Sequence, residues 1–250
     1  MKKISVNNIS KLYSTKKVLD SINLDINNGE IHVLLGTNGA GKSTLINIIA
    51  NLTSTNSGTI SYNYDCKENS FSSQDIGFVF EEPIYLPYLS AYEYLEFLAN
   101  LLDLKKDAYK LRIEEIITSF KIPNDKKPIK EYSKGTKQKV SFAGAILNTP
   151  SFLILDEPFD GIDFITTREI IKYLIKLKDA GMGIFITSHQ LELIMEIASQ
   201  FSILHNSRII MSLSREKLLK VSKSKYPSIE GEVAIKKYIE DIIISNYMKD

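Results

Sequence analysis

The sequence is short of cysteine, of net charge and of long apolar runs. Its single cysteine, Cys66, cannot form an internal disulfide, which fits a reducing compartment. Lys and Arg number 31 against 30 Asp and Glu, a formal net charge of +1. No strong global field is available to draw in duplex nucleic acid, so no nucleic-acid partner is expected. The opening stretch, MKKISVNNISKLY, has no long apolar segment after its lysines, so no signal peptide is expected. No apolar run approaches the roughly 20 residues of a membrane-spanning helix. The expectation is a soluble, cytoplasmic protein. If it works at a membrane, another chain must provide the span. Internal repeats, long low-complexity tracts and sustained heptads are also missing.

What is present suits one large α/β domain. Hydrophobic residues make up 44% of the 250-residue chain, enough for a substantial core. Ile22 to Ile26 alternates, and Ile31 to Leu35 is a continuous apolar strand. Asn56-Ser57-Gly58 predicts a turn. Ile76 to Phe80 predicts a buried strand that ends at Glu81, Glu82 and a proline. From Ser90 to Asn148 the pattern is helical. Tyr94, Leu95, Leu98 and Leu101 mark one apolar face, and Leu111, Ile113, Ile116, Ile117 and Phe120 another. After Phe152, strands (FLIL, GIFIT, FSIL, RIIM) alternate with helices near Thr166 to Leu177 and Gln190 to Ser199. That alternation indicates a mainly parallel sheet with crossover helices. Residues 1–82 and 150–215 therefore form the α/β core. A helical insert, about residues 83–149, splits it, and a lysine-rich helical tail follows at 216–250.

Gly36-Thr37-Asn38-Gly39-Ala40-Gly41-Lys42-Ser43, continued by Thr44, fits the phosphate-loop pattern GxxxxGK plus Ser or Thr. It stands between a predicted strand and a predicted helix, as that pattern requires. The glycines let the backbone wrap so that its N–H groups point at phosphate oxygens. The helix N-terminus adds positive potential. Lys42 can neutralise the β- and γ-phosphates, and the Ser43 hydroxyl can hold Mg²⁺. Phe152 to Glu157 supplies a companion: a buried strand delivers Asp156 to its C-terminal end, where open α/β sheets place ligands. Asp156 can hold Mg²⁺ through its water shell, and Glu157 can polarise an attacking water. Two acids after a strand, taken alone, make an ordinary solvated turn.

Tyr132-Ser133-Lys134-Gly135-Thr136, followed by Lys137-Gln138-Lys139, resembles the LSGGQ signature of ABC transporter ATPase subunits. It lies before the second Walker motif, as in that family, and several exporter branches carry a Ser-Lys-Gly variant with a basic run. Asp160-Gly161-Ile162-Asp163 resembles the D-loop, and Ile186 to His189 the switch strand. The resemblance spans roughly residues 1 to 215. It implies a phosphate-loop NTPase core with an antiparallel β part at the N-terminus, and ATP with Mg²⁺ as cofactors. It further implies a γ-phosphate contact from His189 and an adenine stacked on Tyr13, for which a core tyrosine is the lesser alternative. Two such subunits would sandwich ATP head to tail. Ser133 and Gly135 of one would face the γ-phosphate held by the other. The partners implied are a second ATPase subunit and a transmembrane permease on a separate chain.

Departures from the family stand beside these matches. Tyr132, Lys134 and Thr136 differ from LSGGQ, and Phe159 and Asp160 stand where many members have Thr and Ser. None removes a catalytic group. The segment joining core to insert begins in the family with a glutamine near Mg²⁺. Here that position is Glu81, since Gln74 lies before the strand. A glutamate there resembles the ATPases of lantibiotic-immunity transporters and of related two-component exporters, and a carboxylate is a hard ligand suited to Mg²⁺. Glu82 is expected to be solvated. Tyr85, Leu86, Tyr88 and Leu89 either pack within the insert or meet a membrane subunit. The resemblance implies an exporter ATPase moving an antimicrobial peptide or another amphipathic molecule. An importer subunit, an ATPase acting on ribosomes or DNA, and a non-hydrolysing scaffold are the alternatives. Glu157 and His189 argue against the last.

Overall fold

The computed structural model describes residues 2–64, 67–68 and 75–248. Cys66 and Gln74 lie outside the described residues. The chain runs β1 (Lys3–Tyr13), β2 (Lys16–Asn27), β3 (Ile31–Leu35), α1 (Lys42–Ile49), β4 (Ser57–Tyr64), β5 (Lys67–Glu68) and β6 (Ile76–Val79). Helices α2 (Ala91–Leu101), α3 (Lys106–Phe120) and α4 (Lys134–Ala145) follow. Then come β7 (Phe152–Asp156), α5 (Phe164–Asp179), β8 (Gly183–Ser188), α6 (Leu191–Met195), β9 (Gln200–His205), β10 (Arg208–Ser214), α7 (Arg215–Lys225) and α8 (Gly231–Tyr247).

Two sheets organise these elements. An antiparallel sheet has the order β2-β1-β4-β5, and a six-stranded sheet the order β10-β9-β3-β8-β7-β6. In the larger sheet, β3, β6, β7, β8 and β9 run parallel, and β10 returns antiparallel. The expected α/β core with an antiparallel N-terminal part is what the chain forms. β3, β7 and β8 are buried along their whole length, because both faces of the sheet are covered. Leu34, Ile154 and Phe185 face the antiparallel sheet and α1. Val33, Leu155 and Ile186 face the helices and share their core with Ile113, Val140 and Ile170. Burying both faces explains why these strands are unbroken apolar runs rather than alternating ones.

Four local expectations are corrected. Asn56 to Gly58 is no free turn: β4 begins at Ser57, and Gly58 (φ 90°) sits where the β1–β4 register slips between Asn7 and Ser10. A Cβ there would lie 2.4 Å from the Asn8 carbonyl oxygen, so the glycine marks a bulge. Leu111 is 66% exposed. It lies about 200° around the helix from Ile113, while Tyr109, Ile113, Ile116 and Phe120 share the buried stripe. Leu101 closes α2 and is 71% exposed at the rim of an apolar groove. The helix expected from Gln190 to Ser199 shrinks to the five residues of α6, because Ser199 N already donates to Ile31 O and draws the chain into the sheet.

The helical insert leaves the sheet after β6 and returns to it at β7. Helix α4 lies against β6 so closely that a Cβ on Gly77 would stand 2.1 Å from the Ala145 carbonyl oxygen. After β10 the chain forms α7 and α8, and α8 packs Ile235 and Ile239 into the larger core. Among the described residues no helix is long and apolar enough to cross a membrane.

Candidate functional site

β3, β6, β7 and β8 all end at one border of the parallel sheet, where open α/β sheets place their ligands. The loop after β3 turns into α1 through Gly41, whose φ of 111° suits glycine. Gly41 has no side chain with which to cap α1, so the N–H groups of its first turn are left for a ligand. Lys42 is almost fully buried. Its ammonium donates to Gly36 O at 2.8 Å and Thr37 O at 3.3 Å, and lies 3.1 Å from Glu157 Oε1.

Asp156 ends β7, and Glu157 follows it. Glu157 has φ 42°, a left-handed conformation that a non-glycine residue holds only under tertiary constraint. The constraint is visible: Glu157 N donates to Thr187 O and Oγ1, at 3.2 and 3.1 Å. The same Thr187 hydroxyl donates to Asp156 Oδ1 at 2.5 Å. One β8 side chain thus orients both acids. This follows from the register Asp156↔Thr187. Sequence reading passed Thr187 over as an orienting residue, and only the strand pairing could have shown it. His189 closes the arrangement: its backbone N–H donates to Glu157 Oε2 at 3.2 Å, and its Nδ1 lies 2.9 Å from the same oxygen. Glu157 Oε1 is buried without a hydrogen bond of good geometry, so its compensation is the charge of Lys42.

These groups border an open cleft of about 400 Å³. Asn38, Gly39, Gly41, Lys42, Ser43, Thr44, Glu81, Glu157 and His189 line it, together with Val18 and Asp160. Val18 gave no sequence signal. Asp156 sits beneath, nearly buried against Thr187. Gly36, Thr37 and Ala40 form the back of the loop and border neighbouring cavities instead. Tyr13, at the end of β1, is 47% exposed, does not line the cleft and carries Lys11 Nζ over its ring at 5.1 Å. Ser133 and Gly135 also stand apart from the cleft: Ser133 caps α4 by accepting from Thr136 N, and Gly135 is buried in the first turn. Glu81 is exposed and lines the cleft, whereas neighbouring Glu82 is exposed and does not.

The donor set fits a bound polyphosphate. Lys42 is held by carbonyls and a carboxylate, partners that a phosphate oxygen can replace. Among the described residues no three His, Cys, Asp or Glu side chains gather as a metal cage. A Mg²⁺ here would take much of its shell from phosphate and water, which is its ordinary habit.

A phosphate loop opening a helix, with an acid pair and a histidine meeting it from adjacent parallel strands, defines a phosphate-loop nucleotide-binding ATPase. The ABC transporter family model matches residues 19–160, and the chain belongs to that family as one of its ATP-binding subunits, which are ATPases coupled to transport. The lantibiotic transport ATP-binding protein SrtF of Streptococcus pyogenes is 32% identical over 83% of this chain and 89% of its own length. The bacitracin transport ATP-binding protein BcrA of Enterococcus faecalis is 32% identical over 93% of this chain and 77% of its own. A solved ATP-binding subunit of an ABC transporter superposes with a TM-score of 0.80 at 26% identity, covering 95% of this chain and 98% of that one.

Proposed function

We propose that the chain hydrolyses Mg²⁺-ATP in the cleft around Lys42 and thereby drives a separate membrane-spanning permease from its cytoplasmic face. The observation that carries the reading is the convergence of Lys42 and His189 on one buried carboxylate, Glu157. Lys42 pairs with Glu157. A γ-phosphate would draw Lys42 away, leaving Glu157, held by His189, free to accept a proton from water. Ser43 and Asp156 would hold Mg²⁺ with Glu81 beside it, and the metal would supply neutralising charge to the phosphates. Thr37, Asn38, Ala40 and Thr44 cradle the phosphates through the loop backbone, and Tyr13 stacks on the base.

Each cleft is half of a composite site in this proposal. Ser133 and Gly135 lie outside their own cleft and serve that of a second, head-to-tail ATPase subunit. The domain reading is one ABC ATPase unit, with core 1–82 and 150–215, insert 83–149 and tail 216–250. Leu86 and Tyr88 are exposed, while Tyr85 and Leu89 pack partly on the core. With Ile84 and the apolar groove under α2, the exposed pair forms the face offered to the permease. The transported molecule is an antimicrobial peptide or a similar amphipathic compound, a reading supported by the transport named for the two relatives above.

The test is co-expression with a candidate permease, purification of the pair and measurement of ATP turnover and of cellular protection against lantibiotic and bacitracin. Lys42→Ala should lower ATP affinity at least about tenfold, since charged hydrogen bonds contribute about 1.5–3 kcal/mol each. Wild-type-like ATP binding by that variant would remove Lys42 from its role. Turnover without protection against any peptide would remove the substrate class while leaving the ATPase.

A further inference from the structure

Asp160, Glu81 and Glu157 are the three carboxylates that line the cleft, and Lys42 is the one lysine or arginine among its described lining residues. A polyphosphate entering such a site meets like charge. Glu157 is compensated from within, by Lys42 and His189. Asp160 is compensated from outside: Lys134 Nζ, which does not line the cleft, lies 3.6 Å from Asp160 Oδ2.

Lys134 begins α4, whose first turn holds no acid. A cation at a helix N-terminus is unfavourable. The pair itself is about half exposed, and such pairs add little to stability. Folding therefore gains almost nothing from placing a lysine here. Gly161, with φ 63°, lies under the Lys134 side chain, and a Cβ there would stand 2.5 Å from the ammonium.

We infer that Lys134 is a positioning residue for the nucleotide cleft of its own chain: it holds the Asp160 carboxylate turned toward α4, so that this charge does not swing into the path of an entering polyphosphate. The inference rests on the nucleotide reading of the cleft. It makes Lys134 and Asp160 a coupled pair: the effect of Lys134 on affinity depends on the Asp160 carboxylate being present.

The experiment is calorimetric titration of Mg²⁺-ATP into the wild-type chain, Lys134→Gln, Asp160→Asn and the double variant, at concentrations where light scattering shows a single copy. Lys134→Gln should weaken binding roughly two- to fivefold, the size of an exposed charge pair. The loss should shrink as salt rises from about 50 to 500 mM, where the Debye length falls well below 10 Å. Lys134→Arg, which keeps the charge, should bind like wild type. In the Asp160→Asn background Lys134→Gln should change affinity by less than about twofold, the signature of coupling in a double-mutant cycle. An equal loss in both backgrounds would overturn the inference, because Lys134 would then act on the nucleotide directly or through the fold of α4. An unchanged Lys134→Gln affinity beside intact wild-type binding would overturn it alone. A wild-type chain that binds no ATP would overturn the reading of the cleft and this inference together.

Discussion

Replacing Glu157 with glutamine separates two demands that meet on one carboxylate. Lys42 and Glu157 form an ion pair at 3.1 Å, with side chains 6% and 8% exposed. Unit charges at that distance attract by about 5 kcal/mol at an effective dielectric of 20, and burial of both ions offsets much of this. Removing one partner of a buried pair costs about 3–5 kcal/mol when the other is stranded. Lys42 is not stranded, because the carbonyls of Gly36 and Thr37 still accept from it. The expected loss for the nucleotide-free chain is therefore smaller, about 1–3 kcal/mol. With ATP bound the balance changes. Lys42 no longer has to leave a carboxylate to reach a phosphate, so affinity for ATP holds or rises. Turnover falls at least about 100-fold, the contribution of a positioned general base. Urea unfolding with and without Mg²⁺-ATP, run beside steady-state ATPase assays, reads all three quantities. The nucleotide-free midpoint should drop while the stabilisation conferred by ATP grows. Wild-type turnover in the variant would refute the catalytic role. A matching drop with and without ATP would refute the competition for Lys42.

Thr187→Val removes the hydroxyl shared by Asp156 Oδ1 and Glu157 N. It should cost about 1–3 kcal/mol of stability and lower turnover about tenfold or more with little change in ATP affinity, and normal turnover would show that the acids orient themselves. Glu81→Gln should shift the Mg²⁺ dependence of ATPase activity while Glu82→Gln should not, since only Glu81 lines the cleft; matching titrations would return Glu81 to an ordinary solvated loop. His32 is buried between Asp25 O and Ser202 Oγ, and burial pulls its pKa down from 6.5 to about 4. The unfolded chain therefore gains a proton first, so stability present above about pH 6.5 is lost toward pH 4, at a slope of up to about 1.4 kcal/mol per pH unit. His32→Gln should flatten that part of the stability–pH curve, and an unchanged slope would assign it to other groups.

Features fixed by local chemistry were legible in the sequence. The apolar runs at β3, β7 and β8 read as strands, and the structure buries them on both faces. The glycines and Lys42 marked the turn into α1. Features fixed by register or by distant packing were not legible. Thr187 meets the acid pair only because β7 and β8 align at Asp156. Gly58 resembles a turn residue until β1 is laid beside it. Leu101 fits its helix face, yet the fold leaves nothing opposite it but a groove. Asp160 reaches Lys134 from about 26 residues away, a separation that no periodicity encodes.

The helical insert leaves the larger sheet from an edge strand. β3 is laced on both sides, by β8 and β9. Among the described residues β6 is laced on one side only, by four residues of β7. Amide hydrogens of Gly77 to Val79 should therefore open to exchange by sub-global motions that leave Val33 and Leu34 closed. Helix α4 rests directly on β6, backbone against backbone at Gly77 and Ala145, with no side chain between to absorb movement. A displacement of the Ser133 end of α4 should therefore be felt at β6, whose last residue, Val79, stands two residues before Glu81.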